Sequence, residues 1–169
     1  MAATSSLRDY QLALSERLQN AAESTRVPSK LGLQIRGEAW LVDLTEAGEV
    51  IPVPAISPVP LTRPWFKGVA NVRGNLYSVT DLAALLGGEQ VPLTGEARLL
   101  LLAERFRAGA GLLLERSLGL RNAAELKPEP KDVPERWVRT HYADPDGKPW
   151  KELDVAALVQ DEAFLEVAL

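Results

Sequence analysis

The sequence contains no cysteine, which excludes disulfides, thiolate metal sites and every cysteine-based mechanism. It contains one histidine, His141. Without a second imidazole or any thiol a zinc site is not expected, and a catalytic triad would depend on that residue alone as base. His141 falls on an expected strand near a turn and is read as having no chemical role. No apolar stretch reaches the roughly eighteen residues that a membrane-crossing helix requires, and Arg8, Asp9, Glu16 and Arg17 interrupt the start of the chain. A cytoplasmic chain without direct membrane insertion is therefore expected. Basic residues are not in excess: 19 against 23 acidic ones leave a net charge of -4, so nothing draws the chain to nucleic acid or anionic lipid. Phosphate-loop, dinucleotide-binding and nucleophile-elbow motifs are missing. Neither a metal nor a cofactor is implied.

What the sequence does have is apolar patterning, 46% of 169 residues, enough for one domain or two small ones sharing a core. In residues 1–28, Ser6 and Asp9 form a weak capping box, and Leu7, Tyr10, Leu14, Leu18 and Ala21 recur at helical spacing. This predicts an amphipathic helix whose stripe packs on the protein's own core, with a partner or a membrane surface as the alternatives, lipid being the weakest because the polar face mixes signs. Pro28 ends it. From Leu31 the period changes to two: Leu31, Leu33 and Ile35 alternate with polar residues, and Trp40-Leu41-Val42 follows as a second strand. Pro52, Pro54, Pro58, Pro60 and Pro64 exclude a helix or a central strand, leaving an extended connection that the interleaved Val53, Ile56, Val59 and Leu61 dock onto the core.

The most informative stretch runs from Trp65 to Leu86. Gly68 to Val72 reads as a strand, Arg73-Gly74-Asn75 as a reversal, and Leu76 to Thr80 as the returning strand. Asp81 stands as N-cap of a helix over Leu82 to Leu86, which Gly87-Gly88 stops. The organisation then recurs. Ala97 to Glu104 and Ala110 to Glu115 form a hairpin, and Pro128, Pro130 and Pro134 mark an exposed loop. Trp137 to His141 and Pro149 to Leu153 form another hairpin about an Asp144-Pro145-Asp146-Gly147 turn. Asp154 caps a helix over Val155 to Gln160, so Leu153 to Leu158 echoes Thr80 to Leu85.

Asn71-Val72-Arg73-Gly74 followed by Val79-Thr80-Asp81-Leu82 resembles the signature of CheW-type coupling proteins of bacterial chemosensory systems. Trp40 to Asp43, Glu49 to Ile51 and Trp65 to Gly68 extend the likeness. The resemblance implies an all-β fold with flanking helices: two SH3-like five-stranded β-barrel subdomains, over roughly residues 29–90 and 91–169, preceded by the helical extension of residues 1–28. It departs from the family at Tyr77-Ser78-Val79, Ala47 and Glu115. These details and the extension are similar to the branch serving type IV pilus (twitching motility) systems.

The resemblance also implies the partners: a methyl-accepting chemoreceptor signalling tip and the regulatory domain of a CheA-type histidine kinase, met at membrane-associated receptor arrays. The receptor groove it implies is carried by Leu44, Ala47, Glu49, Val50, Asn71, Arg73 and Gly74. For Arg73 two roles stand side by side, a guanidinium holding carbonyls at the barrel rim and a charge at the groove edge. Asp81 and Asp154 are read as helix caps, which predicts that Asp81→Asn is nearly neutral. The alternatives are an SH3-like peptide-binding module unrelated to chemosensing and a small enzyme using carboxylates such as Glu46, Glu49 and Asp81. No catalytic residue is assigned.

Overall fold

The computed structural model describes residues 10–18 and 29–169. Residues 10–18 form the helix α1, as the apolar spacing requires. Its stripe is not packed on the core. Tyr10, Leu14 and Leu18 are 70%, 47% and 63% exposed, so the expected intramolecular docking is corrected; Ser6, Leu7, Asp9 and Ala21 lie outside the described residues.

The strands follow in chain order: β1 (Ser29–Ile35), β2 (Glu38–Asp43), β3 (Ala47–Pro52), β4 (Ile56–Ser57), β5 (Phe66–Val72) and β6 (Asn75–Asp81). After the helix α2 (Leu82–Leu85) come β7 (Arg98–Leu102), β8 (Ala110–Leu114), β9 (Arg116–Asn122), β10 (Lys127–Glu129), β11 (Val138–Ala143) and β12 (Pro149–Leu153), then α3 (Val155–Gln160) and α4 (Glu162–Leu165). Two sheets of six strands result. The first has the order β10-β11-β12-β2-β1-β9 and the second β3-β7-β8-β6-β5-β4.

This differs from the expected division at residue 90. The first sheet takes β1 and β2 from the chain's beginning and β12 lies parallel to β2, with Lys151 opposite Trp40; the second sheet takes β7 and β8, and β6 lies parallel to β8. Parallel partners need a crossover, so sheet membership follows contact rather than sequence order. Each sheet also has six strands, not five. The additions, β4 and β10, are short edge strands beside or containing prolines, which edges tolerate because one rail of backbone donors needs no partner.

Local chemistry explains the hairpin at β5 and β6. Arg73 and Gly74 have φ of 51° and 86°, the left-handed pair that a two-residue turn matched to strand twist requires. Asn71 Oδ1 accepts the Gly74 N–H at 2.9 Å. At the other end of β5, a Cβ on Gly68 would lie 2.1 Å from the Ser57 carbonyl oxygen, so only glycine admits β4 alongside.

One core joins the sheets. Leu31, Leu33, Ile35, Trp40, Val42 and Leu153 of the first meet Leu99, Leu100, Leu112 and Leu113 of the second, each fully buried leucine contributing about 1.5–3 kcal/mol. On the opposite face of the first sheet, Ala39, Leu41, Leu126 and Trp150 form a smaller core flanked by Leu118 and Tyr142.

Candidate functional site

β3 and β5 stand first and fifth in their sheet, which in a flat sheet would separate them by about 19 Å at roughly 4.8 Å per strand. The Glu49 carboxylate on β3 nevertheless pairs with the Arg73 guanidinium at the β5–β6 tip, so the sheet is curled until these ends meet. Arg73 therefore takes neither of its expected places unchanged. It pairs with Glu49 instead of rim carbonyls, and both side chains stay about half exposed or more (67% and 47%). Such a pair contributes about 0–1 kcal/mol of stability, so its consequence is register and surface charge.

The other expected residues gather around this pair to different degrees. Asn71, Arg73 and Gly74 share the hairpin tip. Ala47 and Val50 are half-buried on β3, Val50 packing against the main core, and Leu44 is exposed in the turn before β3. Sequence reasoning missed Leu76, which is 69% exposed directly opposite Asn71; an apolar residue just after a polar turn was the available signal. Leu76 lines a cleft of about 280 Å³ with Asn75, Tyr77, Leu102, Ala103 and Arg107. Because Ala47 pairs with Leu102, this cleft adjoins β3. A cleft of mixed polarity, with Leu76, Tyr77 and Leu102 in its wall, Glu104 and Arg107 at its edge and the Glu49–Arg73 pair on the same end of the sheet, can take an amphipathic helix: apolar anchors are buried and the charges set register.

Beneath the turn, charges are buried and paired. Glu46 Oε1 accepts from Arg139 Nη2 at 2.5 Å, and this hydrogen bond, against the opposing effect of burial, raises the Arg139 pKa. Glu152 Oε1 accepts from Lys30 Nζ at 2.5 Å and its Oε2 from the Tyr142 hydroxyl at 3.2 Å. Burial works to lower the Lys30 pKa, but the Glu152 hydrogen bond and charge outweigh it and raise it. Asp43 is likewise pushed up by burial and held low overall by the Thr45 hydroxyl and N–H and by Lys30.

Asp81 and Asp154 cap α2 and α3, accepting the N–H groups of Ala84 and Ala157. Asp81 does more than cap. Its Oδ2 accepts the Val91 N–H at 2.7 Å in a fully buried setting, so the expected neutrality of Asp81→Asn is corrected, since the amide would turn a second donor toward that N–H.

Two clefts of about 400 Å³ each flank His141. His141 Nε2 lies 3.5 Å from Glu135, which also pairs with Lys151 at 2.8 Å. Among the described residues no cluster of ligating side chains could hold a metal, and no helix is long and apolar enough to cross a membrane. The carboxylates weighed for acid–base chemistry are engaged otherwise: Glu46 with Arg139, Glu49 with Arg73, Asp81 with backbone N–H groups.

The model of the CheW-like domain matches residues 30–163. Protein PilI of Pseudomonas aeruginosa is 30% identical over 161 residues, 92% of this chain and 89% of that protein. The chemotaxis protein CheW of Thermotoga maritima is 24% identical over 149 residues, 85% of this chain and 95% of that protein. Among solved structures, the scaffolding protein TtCheW from Thermoanaerobacter tengcongensis has the same fold, with a TM-score of 0.61 at 18% identity over 75% of this chain and 88% of that one.

Proposed function

The chain belongs to the family of CheW-like domains, and from that premise we propose that it is a non-enzymatic coupling protein of a chemosensory system. It holds the signalling tip of a methyl-accepting chemoreceptor on one surface and the regulatory domain of a CheA-type histidine kinase on another. The likeness to PilI supports a pathway controlling type IV pilus twitching motility, with the chain stationed at membrane-associated receptor arrays. The observation that carries the receptor reading is the curled end of the second sheet, where the Glu49–Arg73 pair closes on the β5–β6 tip beside exposed Leu76 and its cleft. The kinase domain meets a separate surface on the part of residues 91–169 that lies in the first sheet, β9 to β12. The mechanism is geometric: both partners are held at a fixed spacing, and a receptor rearrangement alters kinase activity through contact free energies of about 1–3 kcal/mol.

Ala47→Glu tests this by placing a charge in the groove. Receptor-tip affinity measured by calorimetry falls about thirty-fold, near 2 kcal/mol, while affinity for the kinase regulatory domain is unchanged because the surfaces share no contacts. Equal loss of both, or of neither, would remove the assignment.

A further inference from the structure

The turn between β2 and β3 exposes Leu44 and Thr45 but buries Glu46. Glu46 Oε2 has no hydrogen-bond donor among the described residues, so the charge is compensated through Oε1, from Arg139 at 2.5 Å and, more weakly, from Arg105 at 3.8 Å. Arg139 lies on β11 of the first sheet and also approaches Asp154 at 3.3 Å and Glu152 at 3.6 Å. Glu152 holds Lys30, Lys30 lies 3.6 Å from Asp43, and Asp43 Oδ1 accepts the Thr45 N–H and hydroxyl at 2.8 and 2.7 Å. The Glu46 N–H donates to the Asp43 carbonyl at 2.9 Å. The chain of contacts from Asp43 through Lys30, Glu152 and Arg139 to Glu46 is therefore a ring closed by the turn itself.

We infer that this ring fixes the turn from the first sheet, and that Arg139 is the positioning residue that sets Leu44 and Ala47 for the receptor tip. This deepens the receptor reading above and rests on it. The physical ground is preorganisation. An exposed turn held only at its backbone ends must be ordered on binding, and that ordering subtracts from affinity. Here one fork of fixed donors reaches Glu46, Glu152 and Asp154 together, which the single ammonium of lysine cannot reproduce. Arg139 has no hydrogen bond or ion pair with a residue assigned to the groove and acts on the turn directly through Glu46 and, by way of Glu152 and Lys30, through Asp43.

The test is amide hydrogen exchange on the full chain, paired with titration of receptor tip and kinase regulatory domain. In Arg139→Gln the amides of Thr45 and Glu46, and of Ala103 whose N–H donates to the Glu46 carbonyl at 3.0 Å, exchange faster while those of Gly74 and Asn75 do not. Receptor-tip affinity falls about tenfold, and kinase affinity holds. Leu112→Ala serves as control, since loss of core packing raises exchange everywhere. Pairing Arg139→Gln with Glu46→Gln removes the stranded charge and restores part of the protection. Should Arg139→Gln not fold, Arg139→Lys is read at the same amides. Unchanged exchange at Thr45, Glu46 and Ala103 overturns the inference, as does a uniform rise that Leu112→Ala reproduces. Exchange needs no receptor, so failure of the unaltered chain to bind the tip would sink the receptor reading separately.

Discussion

The second sheet buries mainly leucine, valine and alanine, with Thr80 on β6 and Trp65 just before β5, and its one fully buried carboxylate among the described residues, Asp81, is met by two backbone N–H groups. The first sheet buries Trp40, Trp150 and, just before β11, Trp137; its carboxylate Glu152 is met by Lys30, and its Arg139 meets Glu46 of the β2–β3 turn. The two designs fail differently. Aliphatic packing loses free energy in proportion to what is removed, whereas a buried ion pair that loses one partner strands the other charge in low dielectric. The sheet with paired charges is also the one that reaches across to the turn of the proposed receptor surface, so the costlier chemistry lies where geometry has to be specified.

The largest effect that would break this contrast is at Glu152. Glu152→Ala leaves the largely covered Lys30 ammonium with Asp43 at 3.6 Å and the Tyr142 ring at 6.0 Å, and urea unfolding should show a loss of about 3 kcal/mol, at the low end for a broken buried pair because of these remaining partners. Replacing both partners, Lys30→Met with Glu152→Leu, should recover most of it. A double variant as unstable as the single one would mean that the cost is lost packing and not a stranded charge.

Asp81→Asn comes next, in the other sheet. It leaves the buried Val91 N–H without an acceptor, which should cost about 1–3 kcal/mol, against the near-neutral outcome that a pure cap predicts. Equal stability of Asp81→Asn and the unaltered chain would return Asp81 to capping alone.

Smaller again is the response to pH, and it belongs to the first sheet and its connections. Asp43, Glu135 and Asp144 are held low by hydrogen bonds and neighbouring cations, and Asp161 lies at about 2 chiefly through its Arg136 hydrogen bond. Folded values below the unfolded ones give stability that is present above about pH 4–4.5 and lost as pH falls through the folded values. Lys30 and Lys151 are raised, so their contribution is present below about pH 10.4 and lost above it. Urea midpoints should be level between about pH 5 and 10 and fall on both sides. A midpoint that holds level or increases as pH is lowered from about 4 would contradict these assignments.

The smallest effect is at the Glu49–Arg73 pair. Because both side chains are well exposed, Glu49→Gln should change stability by less than about 1 kcal/mol, measured by thermal unfolding. A larger loss would show that the pair closes the sheet and does not merely mark its surface.

What was legible in the sequence was local. The Arg73-Gly74 reversal, the caps at Asp81 and Asp154 and the hairpin about Asp144 to Gly147 are each set by residues within a few positions, and the structure places them as read. Strand order was not legible, because the parallel pairing of Lys151 with Trp40 spans most of the chain and nothing local encodes it. The charged ring was half legible. Trp150 and Glu152 share a face by strand periodicity, a signal from which a buried carboxylate could have been read but was not, and Glu46 in a polar turn reads like any solvated residue. The α1 stripe fails for the opposite reason: spacing shows that a face is apolar, not what covers it.

The central claim is that one chain holds receptor and kinase together on separate surfaces. Sedimentation velocity of the chain mixed with a receptor signalling-tip fragment and a kinase regulatory domain tests it most directly. The account predicts a single faster species containing all three, formed without displacement of either partner. Two binary complexes that exclude each other would contradict it.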